Sequence, residues 1–458
     1  MDMEKVPRKL EKKRSDIYAG KPVTKFGERK PDFSTMGKKI KNKIKDFREV
    51  VIVEACRTPY GRSGGALKGL TAVELGALAI KEVLERTGGK VSPEDVDYVI
   101  MGQVVPAGCG QVPGRQAAIL AGVPDWVPTI TVNKVCSSGI KTIDLAAQMI
   151  QLGRADICIG GGQESMSNCP YSLPEMRWGT RMGLPSRPAV DLMVHDGLWD
   201  IFYNRHMAIH GSETGDEFGI SREDQDEWAY HSQMAAVAAM REGRLDDEIF
   251  PVEVRKGKKG AEIGVMDKDE GPRPNTTMEG LSKLPPVFGH KSTVTGQPGS
   301  VTAGNAPGTN DGGDVCLVMS REKADELGLK PLFTILDYAE VSQPSKDIAT
   351  VPGLSIKKVL EQNDMTLDQI DLIEINEAFA SVVLVSAQRI LGMTKEEMFE
   401  KINVNGSAIA YGHPIGATGA RIVMTLAYEL RRRGGGIGVC GICSGLAQGD
   451  AMLIKVEA

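Results

Sequence analysis

Val127-Pro128-Thr129-Ile130-Thr131-Val132 runs straight into Asn133-Lys134-Val135-Cys136-Ser137-Ser138-Gly139-Ile140, and the reading of that junction decides the fold. The first six residues are a short apolar run, which predicts a buried strand. From Ile140 to Ile150 apolar residues recur at helical spacing. Cys136 is thereby predicted at a strand-to-helix elbow, in the first turn of a helix whose start is marked by Ser137 and Ser138. Unpaired N–H groups and the positive end of the helix dipole favour an anion at such a place. A cysteine there is expected to ionise more easily and to act as a nucleophile. The plainer reading is a small buried core thiol, so the rest of the chain has to decide.

Working outward, the segment sits in a β/α alternation. Val50-Val51-Ile52-Val53-Glu54-Ala55 predicts a strand, residues 71–86 a helix, Val96–Met101 a strand, and Asp156-Ile157-Cys158-Ile159-Gly160-Gly161-Gly162 a strand running into a glycine turn. The pattern then repeats. Ile80–Glu85 resembles Ile356–Glu361, Ser92–Val99 resembles Thr366–Ile373, and the helix after Cys136 resembles that from Gly419 to Leu430. Three matches in order at offsets of 276, 274 and 280 residues predict a duplicated β/α domain. Between about 163 and 290 the alternation stops, and the chain is rich in Met, Pro and charge around one clear helix opened by Ser221-Arg222-Glu223-Asp224. This predicts an insertion in the first copy.

The repeat also places chemistry. Position 102 corresponds to Asn376, the Cys136 elbow to Gly412-His413-Pro414-Ile415-Gly416-Ala417-Thr418-Gly419, and the glycine turn at 160–162 to Cys440-Gly441-Ile442-Cys443-Ser444-Gly445. All are carboxyl ends of predicted strands, where open α/β sheets put ligands. Cys136, Asn376, His413 and Cys443 are therefore expected to converge.

Composition excludes several classes. The 458 residues carry 41% hydrophobic and 25% charged side chains, as soluble globular chains do, and no apolar run reaches membrane-spanning length. The eight cysteines are scattered, not spaced as a disulfide framework, and no secretory leader is visible, which leads us to expect a reducing cytoplasm. The net charge of −5 hides an asymmetry: residues 1–50 carry a net +8 and the remainder −13. A basic arm of this kind is able to touch nucleic acid or an anionic membrane. Lacking interleaved aromatics, it reads more simply as a solvated tail or as an arm lying on its own acidic body, with no nucleic-acid partner and no stable membrane insertion. Cys440-Gly441-Ile442-Cys443 has no second such pair for a metal. His206 and His210, at i and i+4, lack a third ligand nearby, so no metal is expected.

Four blocks, namely the Cys136 elbow, Asn376-Glu377-Ala378-Phe379, Gly412-His413-Pro414-Ile415-Gly416 and the Cys443 loop, resemble the thiolases over residues 50–458. These are acyl-CoA acetyltransferases that make or cleave 3-ketoacyl-CoA. The resemblance implies an α/β fold of duplicated β/α domains in five layers, α-β-α-β-α, with an inserted loop domain. It divides the chain into a basic extension at 1–49, an N-terminal half at 50–165 and 290–322, an inserted coenzyme A-binding loop domain at 166–289, and a C-terminal half at 323–458. It also implies roles. Cys136 is the nucleophile that carries the acyl group, and His413 is its base. Cys443 is the acid/base for the carbon–carbon step. Asn376 with His413 forms a first oxyanion site through a held water, and the N–H groups of Cys136 and Gly445 form a second. For coenzyme A it points to Leu198, His206, Met207, Arg273, Phe288, Ala303, Ala378 and Phe379. Coenzyme A and acetyl-CoA are substrates, with no tightly bound cofactor, and a homodimer or homotetramer is expected.

Three departures from the family pattern stand out. Pro307 replaces a usual serine, about seven residues are added between Phe288 and Ala303, and Gly445-Leu446-Ala447 replaces a run of glycines. The expected activity is short-chain, on acetoacetyl-CoA. The alternatives are a degradative thiolase for longer chains, a ketoacyl-carrier-protein synthase on the same fold, or an inactive relative kept as a binding protein. The synthase would lack Cys443 and the insertion; the inactive relative would have lost a catalytic residue.

Overall fold

A computed structural model describes residues 47–179, 188–256 and 262–458; the arm expected over 1–49 lies outside the described residues up to 46. Its last residues are already tied to the body: Arg48 pairs with Asp156, and Glu49 with Arg321 at 2.8 Å.

In chain order the strands along the main path of the ten-stranded sheet are β1 (Val50–Arg57), β2 (Tyr98–Gly102), β3 (Thr129–Val132), β4 (Ile157–Ser165), β5 (Asn310–Ser320), β6 (Phe333–Ser342), β7 (Leu372–Ile375), β8 (Gly436–Ser444) and β9 (Gln448–Val456), and the two residues Gly61–Arg62 pair with β5 beside that path. The principal helices are α1 (Ala72–Glu85), α2 (Pro113–Leu120), α3 (Ser138–Gln151), α4 (Met207–Glu217), α5 (Arg222–Arg241), α6 (Val351–Gln362) and α7 (Thr418–Arg432). Hydrogen bonding follows the order β7-β8-β9-β6-β1-β5-β4-β2-β3. The two halves mirror each other across the short antiparallel pairing of β1 with β6, Val51 opposite Thr334 and Ile52 opposite Phe333. Parallel pairing leads toward both outer edges: β2 lies between β4 and β3 in the first half, and β7 lies beside β8 in the second.

The duplication is visible in local chemistry. Ser92 and Asp95 form a reciprocal cap around a single turn, and Thr366 and Gln369 do the same 274 residues on. Helices α3 and α7 are the duplicated pair. They pack on each other between the two half-sheets, while α1 and α2 cover one outer face and α6 the other. This is the five-layer α-β-α-β-α arrangement. The two helices approach through glycine: a methyl on Gly139 would stand 2.6 Å from the Ala417 carbonyl, and one on Gly419 2.4 Å from the Ile140 nitrogen. Neither site admits a side chain, so this pair of glycines sets how closely the Cys136 and His413 turns can meet.

Two strand expectations need correction. The run 127–132 is not a buried strand: β3 is the edge of the sheet, and Ile130 is 43% exposed. Residues 160–162 are not a turn but the middle of β4, where the small side-chain-free surface admits α3 and the Gly416 carbonyl. The inserted segment holds more helix than expected. Besides α5, capped by Ser221 and Asp224, it contains α4, whose N-cap is the His206 imidazole accepting from Ala208 N–H at 3.1 Å.

Candidate active site

The Cys136 elbow is built by backbone strain. Val135 sits at φ +46°, a left-handed conformation that β-branched residues rarely hold. Lys134 N–H donates to Ser138 Oγ at 2.8 Å, and that hydroxyl donates to the Val135 carbonyl at 2.7 Å, closing the bend. Helix α3 starts at Ser138 with Ser137 as N-cap, so Cys136 lies just before the helix and not in its first turn. The expected easy ionisation is also not found: burial pushes the thiol up to about 12. Such a thiol is neutral at rest, and a nucleophilic role would require a base.

His413 has the features of that base. Its backbone N–H donates to Asn310 Oδ1 at 3.0 Å, while Asn310 Nδ2 donates to the Gly61 carbonyl at 2.9 Å, which pins the turn to the first half. Its Nδ1 lies 2.8 Å from Thr418 Oγ1. That hydroxyl lies 3.0 Å from the Pro414 carbonyl, and with its proton donated there it accepts from Nδ1–H. In that arrangement the ring proton is on Nδ1 and Nε2 carries a lone pair. Nε2 is buried and has no partner among the described residues. Burial, and then the nearby Arg421 charge, lower the imidazole to about 3, so it is neutral and able to accept.

Asn376 follows β7 directly, its N–H donating to the Gly441 carbonyl at 2.9 Å. It is fully buried, yet neither its amide oxygen nor its amide nitrogen has a partner among the described residues. A buried primary amide left bare on both atoms is costly, and it marks a place where something else is bound. Cys443 is the penultimate residue of β8, fully buried; its thiol is pushed well above the usual range by burial first and by the Cys136 charge second. Cys440 lies three residues earlier in the same strand. It packs in the central core with Ile442 and Met452, whereas Cys443 packs with Phe379 and Ala378.

Several contacts draw these pieces together. Ser444 Oγ donates to the Lys134 carbonyl, and a methyl on Gly445 would touch the Val135 side chain at 2.9 Å. The loop of Cys443 and Gly445 thus lies on the Cys136 elbow. Glu164 joins the third part: its carboxylate accepts from Val104 N–H at 2.8 Å, Val105 N–H at 3.3 Å and the N–H of Gly416 in the His413 turn. It is also the charge that acts on Cys136, and burial raises it to about 7.

The residues expected around coenzyme A divide into two groups. Met207, Ala378 and Phe379 are buried in one apolar cluster, with Leu198 against it. Met207 N–H donates to the Leu198 carbonyl at 3.0 Å. Phe288, 68% exposed at φ +57°, stacks on His206 with ring centres 4.6 Å apart. Ala303 and Arg273 are exposed; the Arg273 N–H donates to Gln233 Oε1 at 2.8 Å, and its carbonyl accepts from Thr276 Oγ1 at 2.8 Å. A cavity of about 510 Å³ opens elsewhere, lined by Glu74, Gln103, Cys109 and Cys169, and none of the predicted site residues borders it. His210, the other half of the i, i+4 pair, lies between Asp200 and Arg205, each at 2.8 Å.

Sequence reasoning missed three residues, Thr418, Glu164 and Glu377. A signal existed for the acids: Glu164 interrupts a strand of glycines and apolar residues, and Glu377 directly follows Asn376, so an unpaired carboxylate was due to be buried in each place. Thr418 gave no signal beyond that of a helix start.

The chain is similar to known proteins over most of its length. A family model for the N-terminal domain of thiolase matches residues 50–322, and one for its C-terminal domain matches 329–456. The acetyl-CoA acetyltransferase of Syntrophomonas wolfei is 46% identical over 408 residues, covering 89% of this chain and 99% of that protein. That of Cupriavidus necator is 46% identical over 407 residues, with the same two coverages. A crystal structure of the Bacillus anthracis acetyl-CoA acetyltransferase superposes with a TM-score of 0.83 at 40% identity, covering 90% of this chain and 99% of that one.

Proposed function

The chain belongs to the thiolase family, and we propose that it works as a short-chain enzyme, making or cleaving acetoacetyl-CoA through an acetyl group carried on Cys136. The observation that supports this most directly is the buried imidazole of His413, whose Nδ1 lies 2.8 Å from Thr418 Oγ1 and whose Nε2 has no hydrogen-bond partner among the described residues.

In the first half-reaction the Cys136 sulfur attacks the thioester carbonyl of acetyl-CoA while His413 Nε2 takes the thiol proton. The C–S bond to coenzyme A breaks, and His413 returns the proton to the leaving sulfur. Because thiol and imidazole are both neutral at rest, the proton moves with the attack, and no standing thiolate has to be maintained. The N–H groups of Cys136 and Gly445 stabilise the oxyanion on the acetyl group. In the second half-reaction the Cys443 thiol gives its proton to His413 Nε2, and the resulting thiolate removes a methyl proton from a second acetyl-CoA. The enolate oxygen is held by the Nε2–H that His413 has gained and by a water on the Asn376 amide. The carbanion attacks the acetyl-Cys136 carbonyl, the Cys136–acyl bond breaks, the leaving sulfur takes the proton from His413, and acetoacetyl-CoA leaves. Thiolysis is the reverse. An ionised Cys136 raises the cost of ionising Cys443, so the two sulfurs are not charged together.

Met207, Leu198, Ala378 and Phe379 form the apolar wall for the pantetheine arm, His206 and Phe288 the mouth, and Arg273 the contact to the adenine end. No helix among the described residues is long and apolar enough to cross a membrane, and all eight cysteines are free; both fit a cytoplasmic enzyme. The exposed edge strand β3, with Ile119, Leu120, Trp126 and Ile130 around it, favours a homodimer. An acyl-chain series in the thiolysis direction tests the reading. Acetoacetyl-CoA should give the highest kcat/KM, and a maximum at eight carbons or more would move the enzyme to the long-chain class.

A further inference from the structure

Asn376 presents an amide whose two polar atoms have no hydrogen-bond partner among the described residues, so its direction has to be set by the backbone around it. The residue beside it supplies the anchor. Glu377 is fully buried, and each of its oxygens takes two hydrogen bonds. Trp228 Nε1 donates to Oε1 at 2.9 Å and Asn403 Nδ2 at 3.2 Å. Ser232 Oγ donates to Oε2 at 2.8 Å and the Ile409 N–H at 2.9 Å. All four donors are neutral, and they come from two places. Trp228 and Ser232 lie on α5 of the inserted segment; Asn403 and Ile409 belong to the loop that leads into the His413 turn. Asn403 also clamps the residue before Asn376, donating to the Ile375 carbonyl and accepting from the Ile375 N–H, both at 2.8 Å.

Helix α5 has a second connection. Gln233 donates to the Ile409 carbonyl at 3.1 Å and accepts from Arg273 N–H at 2.8 Å. A continuous set of hydrogen bonds therefore runs from the Arg273 segment, through α5 and the 403–409 loop, to the Glu377 carboxylate and the backbone of Asn376. Burying an anion on neutral donors alone is expensive unless all of them are in place. The carboxylate thus holds the two elements in one arrangement.

We propose that Glu377 is a positioning residue: by binding α5 and the 403–409 loop at once, it aims the Asn376 amide and couples the seat of coenzyme A to the carbon–carbon step. The proposal rests on the thiolase reading above. Glu377→Gln puts an amide NH₂ against donors and breaks the set while leaving Cys136, His413 and Asn376 unchanged. The full-length variant should lose about tenfold to a hundredfold in kcat for acetoacetyl-CoA thiolysis. Transfer of labelled acetyl from acetyl-CoA to Cys136 should stay within about threefold of wild type, because that step does not use Asn376. Trp228→Phe removes only one donor on α5 and keeps the carboxylate; it should raise KM for coenzyme A several-fold with kcat within about twofold.

Loss of both half-reactions in equal proportion would mean a purely structural role and overturn the proposal, as would a Glu377→Gln enzyme with kcat within twofold of wild type. If Glu377→Gln does not fold, the pair Trp228→Phe with Ser232→Ala carries the same test, with the same unequal loss expected and an equal loss refuting it. A wild-type protein that transfers no acetyl group at all would refute the thiolase reading instead, a different and separable result.

Discussion

Thr418→Val tests the tautomer assignment of His413. Valine has nearly the shape of threonine, so the fold around it should persist. Two hydrogen bonds disappear: the one from Nδ1–H, at 2.8 Å, and the one to the Pro414 carbonyl, at 3.0 Å. The second costs about 1 kcal/mol of stability. The first leaves a buried N–H without an acceptor, a penalty of roughly 1–3 kcal/mol. The imidazole escapes that penalty by turning or by moving its proton to Nε2, and either change removes the lone pair proposed to take the Cys136 proton. Restoring the working tautomer then has to be paid for in the barrier, so acetyl transfer should slow about tenfold to a hundredfold. Exchange of labelled coenzyme A against acetyl-CoA reads the first half-reaction alone. Thr418→Ser, which keeps the hydroxyl, should exchange within about threefold of wild type. A valine variant that exchanges as fast as wild type would refute the assignment.

Other consequences are as direct. The Glu164 carboxyl, raised to about 7 by burial, binds its proton more tightly folded than unfolded. It therefore contributes stability that is full below pH 4.5 and is lost as pH rises to about 7, on the order of 3 kcal/mol. Glu164→Gln should lack this leg, so melting curves from pH 4 to 8 should show the variant gaining on wild type; parallel profiles would show that the carboxyl is not raised. Cys443→Ala should keep coenzyme A exchange and lose condensation and thiolysis. Cys440→Ala should keep both at a stability cost of about 1–2 kcal/mol; the opposite pattern would move the acid/base by three residues. Leu446 stands at φ +61° and is 42% exposed, so Leu446→Gly should relieve strain and raise the unfolding free energy by about 0.5 kcal/mol. A loss of 1 kcal/mol or more in a chemical melt would contradict that.

The duplication was legible because each half carries its own local signals: the caps at Ser92 and Thr366, and the paired glycines Gly139 and Gly419. The blocks around Cys136, Asn376, His413 and Cys443 could be read for the same reason, each being a strand end followed by a turn. What could not be read is what depends on neighbours distant in the chain. An apolar run such as 127–132 gives no sign of whether another strand covers its outer edge. The state of Cys136 depends on how deeply the second half buries it, and local reasoning from the helix start gave the wrong direction. Helix α4 escaped notice because an imidazole caps it, and because its Glu213 is buried against Arg205 rather than spaced along a solvent face. Thr418 acts through a side chain five residues away, and no pattern of spacing announces that.

The central claim is that the acyl group rides on Cys136. Incubating the protein with acetyl-labelled acetyl-CoA, quenching in acid and mapping the labelled peptide measures it directly. The label should sit on Cys136 and vanish in Cys136→Ser. Label on Cys443 or Cys440 in the wild-type protein, or label that persists in Cys136→Ser, would contradict the account.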